Sequence, residues 1–420
     1  MKKCFIIIML AAAVVVFAAG PVMAGAFRIP ESGTPAMGQA NAFVGQADDP
    51  SAVHHNAAGI VNLEGTQIMG GMNMISPESS FTNLASDSGD SKDKDFLVPY
   101  FFYTNQFGDS DWFFGLGVNA PFGLGTEWDE TAPFNVIPTT TIFFPWIEET
   151  TLEIIKIAPV VAYRVSDQLS VGFGPEYYDV QKVVYNGGAF AGATTQTVYS
   201  MKGDGDGFGF TLSGFYKASE MVNVGLAYHS AVTADLSGNA EGFPTDTFLG
   251  TGAVYTGSAS VDLNLPATLA LGVHFKASDV FSINLDLDQT YWSAYDKLEF
   301  KGGGTTFRTV TKDYEDVTAI RIGGEYSIGE YWKVRAGYLS EPSPVIEETF
   351  DPRLPDADAT AIFLGGGYDE GQWAVNGAYM MLTKDDRDVD TDEPNPAVPI
   401  YDGTYKSSID ILAFDFIYRF

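Results

Sequence analysis

Cysteine is almost missing from this 420-residue chain, Cys4 being the only one. It stands at the head of an apolar run that reads as a removable leader, and not at the run's cleavage end. The mature chain therefore has neither a thiol nor a disulfide framework, and a lipid-anchored cysteine is excluded. Long apolar runs are also lacking. No stretch beyond the leader reaches the roughly 18 apolar residues of a membrane helix, which argues against a helical membrane protein. Basic residues are scarce, 23 against 54 acidic ones. That balance argues against nucleic acid and against anionic membrane surfaces as partners. Only four histidines occur, His54, His55, His229 and His274. They show no metal-ligand spacing, and no G-x-S-x-G elbow, zinc signature or Walker motif accompanies them. No catalytic residue, metal or cofactor is expected, and any transport should be passive. His229 beside Ser230 reads as a lumen histidine at a strand end.

What is present begins with the leader. Lys2 and Lys3, an apolar run from Phe5 to Ala19, and Val22-Met23-Ala24 before Gly25 have the layout of a cleavable secretory signal, residues 1–24. The run is too short to span a bilayer. Glycine is abundant, at 45 residues, and aromatics make up 14%, which suits many short strands and turns.

Those strands show in strict alternation. Phe281, Ile283, Leu285 and Leu287 alternate with Ser282, Asn284, Asp286 and Asp288, and Trp332, Val334, Ala336 and Tyr338 with Lys333, Arg335 and Gly337. At the C-terminus Leu412, Phe414, Phe416, Tyr418 and Phe420 share a face opposite Asp415 and Arg419. An apolar outer face with polar residues inside suits lipid outside and a polar lumen within. Six short polar turns, near residues 108–111, 166–168, 218–220, 277–280, 327–330 and 369–372, carry flanking aromatics such as Trp112, Tyr163, Tyr326, Trp332, Tyr368 and Trp373. They form one interfacial girdle. Six turns and two termini on one side imply fourteen strands and seven outer loops. The fold class is therefore all-β: a transmembrane antiparallel β-barrel of 14 strands over 66–420, in the outer membrane of a Gram-negative bacterium. Pro159, Pro175 and Pro266 should mark bulges or breaks. Fourteen strands at ~4.8 Å spacing and ~40° tilt enclose roughly 28 Å, too wide for side chains to fill. The segment 25–65 lacks alternation and is rich in small residues, so it is expected to sit inside the lumen as an N-terminal hatch.

At this point the chain resembles the FadL/TodX group of outer-membrane transporters for long-chain fatty acids and other hydrophobic compounds. The carriers are Gly25-Ala-Phe-Arg-Ile, Ala47-Asp48-Asp49 before His55-Asn56-Ala57-Ala58-Gly59, Asn119-Ala-Pro-Phe-Gly-Leu124, Gly203-Asp-Gly-Asp-Gly-Phe-Gly-Phe210, Leu263-Asn-Leu-Pro266, Tyr291-Trp-Ser293, Pro342-Ser-Pro344 with Leu354-Pro-Asp356, and the aromatic end. The resemblance implies a fourteen-stranded barrel closed by a hatch, with hydrophobic ligand captured outside and passed inward or sideways. The family's Asn-Pro-Ala hatch motif reads Asn56-Ala57-Ala58 here, which loses a fixed φ.

Several residues are candidates for transport. The second outer loop is apolar, and Phe122, Leu124, Phe134, Phe143, Phe144 and Trp146 are expected to form a capture groove. Lys182, Arg321 and Arg335 can face inward by strand parity and are candidate partners for a carboxylate head group. Gly115 and Gly117 are candidates for a kink that opens the wall sideways; packing against the hatch is their alternative role. Hydrophobic small molecules are the expected cargo, outer-membrane lipid and lipopolysaccharide the surroundings, and Phe420 the handle for the barrel-assembly machinery. Two other readings stand beside fatty-acid uptake: import of aromatic or alkane hydrocarbons, and a general porin or structural barrel.

Overall fold

The computed structural model describes residues 25–129, 132–133, 146–191, 195–247, 252–390 and 401–420. The expected signal peptide lies outside them. Fourteen antiparallel staves close into a barrel. They are β1 (Thr66–Asn83), β2 (Phe96–Gln106), β3 (Trp112–Asn119 continued by Gly123–Glu127), β4 (Trp146–Arg164), β5 (Leu169–Ala191), β6 (Thr195–Lys217) and β7 (Val222–His229 continued by Val232–Pro244). The circuit goes on with β8 (Val254–Leu265 continued by Thr268–Lys276), β9 (Phe281–Thr290), β10 (Val317–Ile328), β11 (Trp332–Glu341), β12 (Ala359–Asp369), β13 (Trp373–Lys384) and β14 (Gly403–Arg419). Each pairs with its sequence neighbours, and β14 closes on β1 from Gln67↔Arg419 to Asn83↔Gly403. Both chain ends of the cylinder meet where Phe420 N–H donates to Thr66 O at 2.9 Å.

The period-2 pattern decides which face meets lipid. Leu412, Phe414 and Phe416 are 37%, 55% and 45% exposed, whereas Asp415 between them is 6% exposed. On the short-turn side, Trp112 stacks near Tyr163 at 4.7 Å and Trp332 near Tyr368 at 4.9 Å, which gives the expected girdle.

The prolines break the wall where they fall. Pro266 separates the two segments of β8. Between β4 and β5 the ladder stops after Ile157↔Tyr177 and resumes at Val161↔Phe173. In that register Pro159 and Pro175 face one another, and neither has an N–H to give.

Residues 25–65 occupy the bore. They contain α1 (Thr34–Met37), α2 (Ala52–His55) and a 3-10 turn over Ala57–Asn62, nearly all buried. Their orphan backbone groups are met from around the circumference. Thr34 N–H donates to Asp415 (2.7 Å), and Phe43 and Val44 N–H to Asp286 (2.8 and 2.9 Å). Ser170 Oγ donates to Ala58 O (2.8 Å) and Arg164 to Val61 O (2.7 Å). Wall glycines make room: a Cβ on Gly225 would overlap Val44 O, and one on Gly172 would lie 2.6 Å from Ala58 N. A separate apolar core joins Val53 and Ile60 of the hatch to Phe102, Phe113 and Phe215 of the wall.

Candidate ligand chamber and wall gap

Above the hatch lies a cavity lined by Phe27, Leu124, Leu152, Val183, Tyr185, Met201, Leu236, Val261, Leu263, Tyr295, Leu298, Phe300, Tyr314 and Leu354. The lining is predominantly aliphatic and aromatic, the character of a site for small hydrophobic molecules. Phe27 of the hatch forms part of its floor, with ring centroids 4.8 Å from Trp292 and 5.3 Å from Tyr295. The charged lining residues gather at one edge: Lys312, Asp351 and Arg353. Asp351 accepts from both cations, at 3.1 and 3.3 Å. Burial alone would raise the Asp351 carboxyl, but Lys312 and Arg353 outweigh it and hold it below the usual carboxylate range. Arg353 also donates to the Tyr199 hydroxyl and lies 4.2 Å over the Tyr185 ring. Its buried Nε has no hydrogen-bond partner, and neither does Thr150 Oγ1 in the same lining. Two cations share one carboxylate, so this edge has capacity for a second anion.

Beside the chamber the ladder between β2 and β3 is interrupted. β2 pairs with β3 only from Phe101↔Val118 to Gln106↔Phe113, so Phe96–Tyr100 have no β3 partner. The cause is the break in β3 at Ala120–Phe122. There Ile29 N–H donates to Pro121 O (2.8 Å), Gly123 N–H to Phe27 O (2.9 Å), and Arg28 bridges to Phe122. The strand bends inward to bond the hatch tip instead of its neighbour.

The sequence candidates divide accordingly. Leu124 lines the chamber, and Phe122 packs at its floor 6.5 Å from Trp292. Phe134, Phe143 and Phe144 lie outside the described residues, and Trp146 is placed by its backbone only, opposite Gly188. Gly115 and Gly117 are not the kink, because the ladder runs unbroken through both. A Cβ on Gly115 would lie 2.6 Å from Val53 and one on Gly117 3.0 Å from it, so these positions admit the hatch. The three cation candidates fall in different surroundings. Lys182 points outward, exposed and 3.5 Å from Glu153, because a register shift between Val180 and Val183 inverts the parity of the strand. Arg321 faces inward, donates to Ala40 O (3.3 Å) and stands 3.6 Å from Asp288, with Nε and Nη2 making no hydrogen bond; it does not line the chamber. Arg335 pairs with Glu325 (2.8 Å) and donates to Asn376 (3.1 Å) beside Gly38 of the hatch. Both secure the plug and leave the chamber cations to Lys312 and Arg353, on loop segments where alternation gives no signal.

The hatch motif is a hydrogen-bonding corner. Asn56 Nδ2 donates to Val44 O (2.9 Å) and Gly214 O (3.2 Å), while its Oδ1 accepts from Ala58 N–H (3.1 Å). Asn56 is extended (φ −162°, ψ 93°) and Ala57 opens the 3-10 turn. A residue preceding proline favours that extended geometry, and proline favours the first helical position. The replacement by alanine leaves the corner intact.

A closed, plugged barrel with an apolar inner chamber defines an outer-membrane transport protein for hydrophobic compounds. The chain belongs to the family described as outer membrane protein transport protein (OMPP1/FadL/TodX), which it matches over residues 15–420. It is 24% identical to the long-chain fatty acid transport protein of Escherichia coli O6:H1, covering 84% of this chain and 86% of that one. It is 25% identical to outer membrane protein P1 of Haemophilus influenzae, with 86% of each covered. Among solved structures it is similar in fold to a Pseudomonas aeruginosa FadL homologue (TM-score 0.80, 20% identity, 94% and 100% covered). The Pseudomonas putida toluene transporter TodX shares the fold as well (TM-score 0.68, 17% identity, 94% and 99% covered). Its relatives are outer-membrane proteins of Gram-negative bacteria, and this chain shares that location.

Proposed function

We propose that this protein takes up amphiphiles with an acyl tail and an anionic head, of the long-chain fatty acid kind, and releases them sideways through the wall. The observation that carries this reading is the chamber's polarity: an aliphatic and aromatic lining with an unsaturated Arg353 donor and a surplus cation at one edge. A neutral hydrocarbon would find the lining suitable but would leave Arg353 Nε without an acceptor. Each buried methylene contributes about 0.8 kcal/mol, so the tail gives affinity and the head gives orientation. Release follows from the gap beside Phe96–Tyr100, where the chamber floor residue Phe122 belongs to the kink itself. Ligand that reaches the kink meets lipid without having to displace the hatch. Capture from outside falls to the apolar second loop, and Phe420, 66% exposed at the end of β14, remains the handle for barrel assembly.

The test is Arg353→Gln, with binding of laurate and of an alkane of equal length measured on the same preparation. A charge-assisted hydrogen bond is worth ~1.5–3 kcal/mol, so laurate affinity should fall roughly 10- to 100-fold while the alkane is unaffected. Equal affinities for laurate in both proteins would favour the hydrocarbon reading. Steady ion conductance across planar bilayers would favour a porin.

A further inference from the structure

Glu341, at the outer end of β11, is buried to 4% exposure, and its Oε2 has no hydrogen-bond partner. Neither nearby cation pairs with it, although Arg321 Nε and Nη2 themselves make no hydrogen bond. Arg28 pairs with Asp288 at 2.8 Å and Arg321 with the same carboxylate at 3.6 Å, whereas no ion pair to Glu341 occurs among the described residues. What lies against Glu341 is the backbone of Gly25. A Cβ built there would stand 2.5 Å from Oε1 and 3.1 Å from Oε2, and Gly25 has φ +56°, where a side chain is disfavoured. The next residue is also fixed: Ala26 N–H donates to Asp356 (3.3 Å), which is neutralised by Lys384 at 2.5 Å. A buried carboxylate without a partner is costly, and a peptide nitrogen carries no charge with which to offset it.

We propose that cleavage between Ala24 and Gly25 creates an α-ammonium group that pairs with Glu341, so that processing itself seats the hatch tip beneath the ligand chamber. Hydrolysis of that one peptide bond consumes one water, gives Ala24 a carboxylate, and leaves Gly25 the amine that is protonated. The proposal rests on the reading of residues 1–24 as a cleaved leader. Its consequence is local, because Phe27, two residues on, is chamber floor. The latch therefore links maturation to a formed binding site.

The experiment uses protein exported with its own leader. Intact mass should place the first residue at Gly25; another start would overturn the latch at its premise and the leader boundary with it. Amine-reactive labelling near neutral pH, mapped by peptide, should then show Gly25 protected. Raising an α-amine from its ordinary ~7.8 by about one unit cuts the reactive fraction roughly tenfold relative to the denatured chain. Glu341→Gln should abolish that protection, with heat-modifiable migration confirming a folded barrel. Should that variant not fold, two alanines inserted after Ala24 serve instead: they should free the amine and weaken laurate binding. A correct start with an amine equally reactive before and after denaturation, or protection unchanged by both variants, would overturn the ion pair while leaving the leader reading intact.

Discussion

Deleting Pro121 should close the wall and stop release while sparing capture. Asn119 opposes Lys156 and Gly123 opposes Glu153, so three residues of β3 cross a span that two residues of β4 cover. Removing one restores an even count and allows β3 to continue along β2 opposite Phe96–Tyr100, now unpaired on that side. Five further ladder positions at ~0.5–1.5 kcal/mol each would contribute roughly 3–7 kcal/mol. Against that stand two hatch bonds, Ile29 N–H to Pro121 O and Gly123 N–H to Phe27 O. At the same scale they are worth roughly 1–3 kcal/mol together. The net should be a barrel more resistant to heat by on the order of 2–4 kcal/mol, readable as a higher temperature of heat-modified migration in detergent. In cells that depend on the protein for laurate, growth should cease, yet purified protein should still bind laurate, because Lys312, Arg353 and most of the aliphatic lining lie away from the kink. Normal growth with a demonstrably closed ladder would refute lateral release.

The remaining expectations concern the hatch. Burial, opposed by Arg321, raises the Glu31 carboxyl to about 7 from an ordinary 4.5. A raised carboxyl favours the protonated folded state, so its contribution is present at low pH and lost as pH rises through about 7. Glu31→Gln should remove that loss; parallel stability curves for the two proteins between those limits would exclude it. Ala57→Pro should be tolerated and stabilise the hatch by about 0.4–1 kcal/mol, since the position is helical and Asn56 is already extended. Chemical denaturation would show it, and a lowered midpoint would contradict the corner described here. Gly225→Val places carbons onto Val44 O, the acceptor of Asn56. It should unseat the plug and raise uptake of large polar antibiotics, with unaltered sensitivity counting against hatch closure at that corner.

Strand number, inside–outside parity and the need for a plug were legible in the sequence, because a period of two is a local property that lipid and lumen impose on every stave. The alternation of Phe414, Asp415 and Phe416 reads the same in the chain and in the barrel. Parity fails wherever the backbone inserts a residue, as at Val180–Val183, and Lys182 faces outward for that reason. Gly115 and Gly117 look like a kink in one dimension, but the wall yields at Ala120–Phe122, where the hatch tip supplies competing hydrogen bonds from a segment some ninety residues earlier. Arg353, Lys312 and Phe27 come from two outer segments and the leading segment, with no periodicity to mark them. Only the closed cylinder, by folding all three over one cavity, makes them a site.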